Sequence, residues 1–302
     1  MNWIFLEEGR VMAKGYKISK NTYGYFEVLP KPSVEELEAH YSQKYYQQSL
    51  GSYERSYSAD ELRYFEVESD LCLATIKKYM SLKESLLDVG CGEGFFAKKL
   101  FDMGWSVKCV DFSSEGLSNH NPELLDFFDQ GDLLTYLNNR SVKDSEYGLI
   151  NLDNVLEHVV DPEQLLVSLR NVMGPNSIAR IEVPNDFSRF QSLLLSLGCT
   201  EETWVSPPEH MSYFNKNSLV NLLNGTGFEV VSLQADFPIE QFLLNDNSNY
   251  WKDRGLGKAA HLSRVICTNY MAEVNLERYI DYKEAAADLE FGRQLTAYIK
   301  LA

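Results

Sequence analysis

The stretch Leu86-Leu87-Asp88-Val89-Gly90-Cys91-Gly92-Glu93-Gly94 constrains the fold more than any other part of the chain. A short apolar run meets three glycines at alternate positions and then an amphipathic segment beginning at Phe95. The backbone must therefore turn sharply between a buried strand and a helix. Without Cβ atoms, the main chain of such a turn is also open to close approach by a ligand. A dinucleotide loop of the G-x-G-x-x-G kind would need glycine at position 95, where Phe95 stands. The spacing thus points to a nucleoside without a pyrophosphate, or to an ordinary tight turn.

Between 85 and 236 short apolar runs (86–89, 107–110, 149–152, 178–183 and 228–233) alternate with helical segments. That alternation predicts an α/β domain with a mostly parallel sheet and crossover helices. A helix is expected over 162–173, capped by Asp161, started by Pro162 and ended by Gly174. The tail 293–302 alternates strictly and reads as a closing strand of the same sheet, which makes 237–291 an insertion of helical character before it. Ahead of the core, Pro30 and Pro32 interrupt any regular element. Ser33 and Glu36 then form a capping box for a helix reaching Gln47 and bearing Tyr41, Tyr45 and Tyr46. After a loop over 48–59, a second helix from Asp60 to Met80 places Leu62, Phe65, Cys72, Ile76 and Tyr79 inward. The expected organisation is an extension with cover helices (1–80), a core (81–236), a helical insertion over the acceptor site (237–291) and a closing strand (292–302).

Charge excludes several partners. With 28 Lys and Arg against 44 Asp and Glu the net charge is −16, which repels phosphate backbones and anionic lipid headgroups. The five cysteines, Cys72, Cys91, Cys109, Cys199 and Cys267, contain no C-x-x-C pair, so neither a disulfide framework nor a zinc knuckle is signalled, and no metal is expected. Trp3-Ile4-Phe5-Leu6 runs straight into Glu7 and Glu8 and is no signal peptide. No membrane-length apolar run exists either. A small-molecule partner in the cytoplasm is the expectation, with oligomeric state open.

The run D-V-G-C-G-E-G resembles motif I of the class I S-adenosylmethionine-dependent methyltransferases, and further matches follow in order. Asp111, ending Val107-Lys108-Cys109-Val110-Asp111 and followed by Phe112, is similar to the acidic residue that accepts hydrogen bonds from the ribose hydroxyls. Gly131-Asp132-Leu133 resembles the acidic loop over the adenine. The segment from Asp153 and Asn154 through Glu157 and His158 to Pro162 resembles the ubiquinone-biosynthesis-like subgroup. Glu209-His210-Met211-Ser212-Tyr213-Phe214 resembles the E-H-x-x-Y-F segment of deoxysugar methyltransferases, here without the cysteine zinc module those relatives carry. The resemblance implies a Rossmann-like, mostly parallel seven-stranded sheet with helical additions at both ends. It implies S-adenosylmethionine as cofactor, held by Asp88, Gly90, Cys91, Gly92, Gly94, Asp111, Phe112, Asp132, Leu133, Asp153, Asn154 and Glu157. The implied acceptor is a sugar or nucleotide-linked sugar, or a quinone-pathway phenol.

Each of these residues also has a plainer role open to it. Asp88 could cap the following helix, Asp111 could be a solvated strand end, and Asp132 could be an N-cap. Glu157 could cap a helix, and His158 could be structural. His210 is the first candidate for general base, with His158 next; Glu209 would orient the imidazole and Tyr213 would hydrogen-bond the acceptor. The alternative is that Glu209 and His210 only brace their loop. His40, His120 and His261 have no motif around them. Two other classes stay open, a nicotinamide oxidoreductase and an inactive binding protein of methyltransferase fold.

Overall fold

The computed structural model describes residues 15–32, 36, 56–79, 81, 83–140 and 147–302. The capping box at Ser33, the helix expected to carry Tyr41, Tyr45 and Tyr46, and His40 lie outside the described residues.

Seven strands form the main sheet: β3 (Ser85–Val89), β4 (Ser106–Asp111), β5 (Phe128–Gln130), β6 (Tyr147–Asp153), β7 (Met173–Pro184), β9 (Phe228–Ala235) and β10 (Gln294–Leu301). Their order is β5-β4-β3-β6-β7-β10-β9. The β3, β4, β5, β6 and β7 pairings are parallel, and β10 runs antiparallel between β7 and β9. The expected mostly parallel seven-stranded Rossmann-like sheet is present.

Every residue of β3 is buried, as a strand covered on both faces requires. In β10 both sides of the alternation are buried, Thr296 and Tyr298 nearly as fully as Leu295, Ala297 and Ile299. The reason is a helical layer on each face: Leu295, Ala297 and Ile299 join one core, Tyr298 the other. Cys72 and Ile76 of α1 (Ala59–Lys77) pack into that second core beside Leu86, Leu149 and Ile178. The helix α1 opens on a Ser58 capping box with Glu61.

The helices α2 (Phe95–Asp102), α3 (Glu115–His120), α4 (Leu133–Asn138) and α5 (Pro162–Leu169) connect the parallel strands. Asp161 caps α5 by accepting from Gln164 N at 2.9 Å. The helix expected to reach Met173 ends at Leu169. A 3-10 turn follows (Arg170–Val172), and Met173 pairs with Tyr147 as the start of β7.

The helices α6 (Arg189–Ser196) and α7 (Lys216–Gly225) precede β9. Residues 237–291 contain two 3-10 turns and α8 (Gly257–Asp288), which breaks at Asn275, with φ −166 and ψ 102. There Asn275 Oδ1 accepts from Arg278 N at 2.9 Å, recapping the second half. Tyr279 and Ile280 of that half lie on Val67 and Leu71 of α1. α1 and this half of α8 pack on a face of the sheet, their buried stripes matching each other and the second core.

A separate three-stranded antiparallel sheet joins β1 (Lys17–Lys20), β2 (Phe26–Leu29) and β8 (Ser212–Tyr213). Its core of Tyr16, Ile18, Val28, Trp204, Met211 and Tyr213 fixes the loop before β8 against the N-terminal hairpin. No helix among the described residues is long and apolar enough to cross a membrane.

Candidate functional site

The glycine turn after β3 closes on the end of β4. Gly90, Gly92 and Gly94 have φ of 73, 54 and 76, a region that side chains with a Cβ rarely adopt. A Cβ on Gly90 would also come within 2.5 Å of Val155 Cγ2. Gly90 N donates to Val110 O at 2.7 Å. The Asp111 carboxylate accepts from Gly92 N at 3.0 Å and Ser113 N at 3.2 Å. Asp111 is thus no solvated strand end; burial raises its pKa while these amides lower it. Cys91 is a free thiol buried in the turn, its pKa pushed up by its hydrogen bond with the Cys109 thiol and by burial. Phe112 follows at the strand edge with 55% of its surface exposed, an open aromatic face.

A cluster absent from the sequence reading stands beside the turn. Tyr57 OH donates to Glu93 at 2.8 Å, and His120 Nε2 lies 3.2 Å from Glu93 Oε1. The Tyr57 ring meets Phe65 and Phe95 edge-on. No local pattern marks Tyr57 or His120, since their partners lie far along the chain.

Asp88 is buried and accepts from Asn151 Nδ2 at 2.7 Å; burial raises its pKa to about 7, with the Asn151 bond opposing. It does not cap α2, whose N-terminus has no side-chain cap. Asn151 Oδ1 in turn accepts from Arg180 Nη1 at 2.8 Å. Arg180, 3% exposed, also donates to Asp153 at 3.0 Å and to Glu182. Asn151, Arg180 and Glu182 were missed because polar residues inside a strand read as the wet side of an alternation. Asp132 accepts from Thr135 N at 2.7 Å as the N-cap of α4, its plainer role, and the Leu133 side chain is buried in the core.

Beyond β6 the chain turns through Asn154, with φ 52. Asn154 Nδ2 donates to Asp153 Oδ1 at 2.8 Å and its Oδ1 accepts from Gln294 at 3.1 Å. Glu157 is 1% exposed, and neither carboxylate oxygen has a hydrogen-bond partner among the described residues. Burial, then the charges of Asp186, Asp153 and Glu182, raise its pKa well above the ordinary carboxylate range.

His158 and His210 come together with ring centroids 4.8 Å apart. His158 Nδ1 donates to the Glu209 carbonyl at 2.7 Å, and Nε2 lies 3.8 Å from Glu157 Oε1. The orienting atom of Glu209 is therefore its backbone oxygen, and the ring it holds is His158. Tyr213 OH, expected to meet the acceptor, instead accepts from Ser206 N at 3.1 Å and donates to His210 O at 3.0 Å. It is 1% exposed, so its hydroxyl shapes the loop. One ligand atom from each of Glu157, His158 and His210 lies within 4.8 Å of the others, a spacing that can also share a metal ion.

A methyltransferase-domain family model matches residues 64–233, more than half of the chain. The chain belongs to the methyltransferase-domain family. It is an S-adenosylmethionine-dependent methyltransferase. It is 26% identical over 173 residues to the ubiquinone biosynthesis O-methyltransferase of Rickettsia canadensis (strain McKiel), covering 55% of this chain and 72% of that one. The protein of the same name from Hydrogenovibrio crunogenus is 25% identical over 130 residues, covering 42% of this chain and 53% of that one. Among solved structures, a SAM-dependent methyltransferase from Archaeoglobus fulgidus is similar with TM-score 0.45 and 19% identity, covering 77% of this chain and 94% of that one. Another from Clostridium acetobutylicum has TM-score 0.49 and 10% identity, covering 89% and 100%.

Proposed function

We propose that this methyltransferase methylates a hydroxyl of a small ring acceptor, with His158 as general base. The observation that carries this reading is the His158 geometry. A carbonyl only accepts, so in the neutral imidazole the bond to Glu209 puts the proton on Nδ1 and the lone pair on Nε2. His210 packs against that ring.

Asp111, with the glycine turn, would hold the ribose. A turn that a Cβ at Gly90 would disrupt and a carboxylate fixed by two amides suit a nucleoside lying against the backbone. Asp88 and Asn151 steady the turn from beneath, and Phe112 offers a face to the base. S-adenosylmethionine supplies a methyl carbon bonded to a positively charged sulfur. His158 Nε2 would take the proton of the acceptor hydroxyl to which that methyl is supplied. Holding the reacting atoms in line can supply on the order of 7 to 11 kcal/mol. Taking the proton makes His158 an imidazolium, with Glu157 Oε1 3.8 Å from its Nε2.

The names of the two relatives favour a phenolic hydroxyl over a sugar. The Glu209 to Phe214 segment, which brings His210 to His158, keeps the sugar as second reading. Incubation with S-adenosylmethionine and a panel of catechols, phenolic acids and nucleotide-linked sugars tests both. A mass gain of one methylene on a phenolic member supports the first reading, on a sugar the second, and on neither contradicts both.

A further inference from the structure

A cavity of about 410 Å³ opens beyond the carboxyl ends of β7 and β9, where β10 begins. Its walls include Trp204, Glu240, Tyr250, Trp251, Arg254 and Arg293, and Leu243 is the single aliphatic side chain among the described lining residues. Such walls suit a ring with polar substituents and do not suit a long apolar tail.

The groups in the wall differ in what they have left to offer. Arg293 is committed: its Nη1 donates to Asp186 at 2.9 Å and its Nε lies 3.9 Å from Glu240. Glu240, 7% exposed, also accepts from Gln191 Nε2 at 2.9 Å. Two carboxylates against one guanidinium leave this part of the wall an acceptor of ligand hydroxyls. Trp204 is 6% exposed and its indole Nε1 has no partner among the described residues. That N–H is closed off from the cavity space, so what Trp204 offers the cavity is its ring. Arg254 is exposed and makes no ion pair among the described residues. It is a cation at the rim of a chain whose net charge is −16.

Two packed rings link the cavity wall to the histidine pair. Trp204 packs on Phe187 at 5.7 Å, and Phe187 on Tyr213 at 6.0 Å, whose hydroxyl holds the His210 carbonyl. Asp186, the partner of Arg293, lies near enough to Glu157 for its charge to act on that carboxyl.

We propose that this cavity seats the acceptor and that Arg254 reads an anionic group on it, so the acceptor is a hydroxylated ring bearing a carboxylate or phosphate. The aromatic walls take the ring, Glu240 takes a polar substituent, and the reacting hydroxyl lies on the side toward the histidine pair. The proposal rests on the methyl-transfer reading, which binding of S-adenosylhomocysteine tests separately.

Calorimetry on the full chain loaded with S-adenosylhomocysteine compares two pairs of probes: protocatechuate with catechol, and a glucose phosphate with methyl glucoside. Tighter binding of protocatechuate identifies a phenolic acid as the source of the anion, and tighter binding of the glucose phosphate a sugar phosphate. Arg254→Gln, at an exposed position, is expected to weaken the preferred anion by roughly tenfold or more, as loss of a charged hydrogen bond does. It should leave the neutral counterpart and S-adenosylhomocysteine unchanged. If S-adenosylhomocysteine binds but neither anion binds better than its neutral counterpart, the proposal is overturned. It is overturned equally if Arg254→Gln changes both members of a pair alike. Failure of S-adenosylhomocysteine itself to bind overturns the methyl-transfer reading, and the cavity assignment with it.

Discussion

His158 Nδ1 donates to the carbonyl oxygen of Glu209 across 2.7 Å, joining residues 51 positions apart. One backbone acceptor thereby fixes the tautomer of the proposed base, and the strand pairing of Ser212 with Glu27 holds that acceptor's loop in place. His158→Gln should lower kcat by roughly 10²- to 10⁴-fold and leave S-adenosylhomocysteine affinity unchanged. His210→Gln should cost less, since its ring packs against the base. Near wild-type turnover in His158→Gln, with His210→Gln inactive and folded, would return the base to His210.

Asp88 gives the stability a pH dependence. Burial raises its pKa to about 7, whereas an unfolded Asp titrates near about 3.9. Between those values the folded state holds a proton that the unfolded state has lost, so this group's contribution to stability falls as pH rises from about 4 to about 7. Asp88→Asn keeps an acceptor for Asn151 and should remove that part of the decline. Urea unfolding of both proteins across this window checks it. Parallel curves would contradict the burial argument.

Arg180 donates to both Asp153 and Glu182. Arg180→Met leaves Glu182 with Thr296 and Asp153 with Asn154 as partners, removes the guanidinium from both, and should cost about 1.5–3 kcal/mol in the same unfolding assay. A loss below about 1 kcal/mol would mean that the pair offsets little beyond its own desolvation.

Gly90→Ala should impair both folding and cofactor binding, because a Cβ there meets Val155 at a backbone φ of 73. The left-handed conformation alone costs about 1–2 kcal/mol. Differential scanning calorimetry with and without S-adenosylhomocysteine separates the two losses. An unchanged Tm and affinity would show that the turn relaxes freely.

How much the sequence could reveal follows from the range of each interaction. The glycine turn, Asp111 and the strands are local patterns, and β10 followed from its alternation. The meeting of His158 with His210 is long-range, as is the hairpin β1–β2 pairing with β8, and no spacing in the chain announces either. The Arg180 network hides because a buried strand can carry charges when they satisfy one another. The break at Asn275 is equally silent, since an Asn within a helical pattern marks a cap only once the chain has turned.

The most direct test of the central claim is a calorimetric titration of S-adenosylhomocysteine into the wild-type chain and Asp111→Ala side by side. The account predicts saturable binding to the wild type and a loss of about 1 to 3 kcal/mol in the variant, the worth of two hydrogen bonds to the ribose. No binding to the wild type at millimolar concentration, or equal binding to both, would contradict the placement of the cofactor at the ends of β3 and β4.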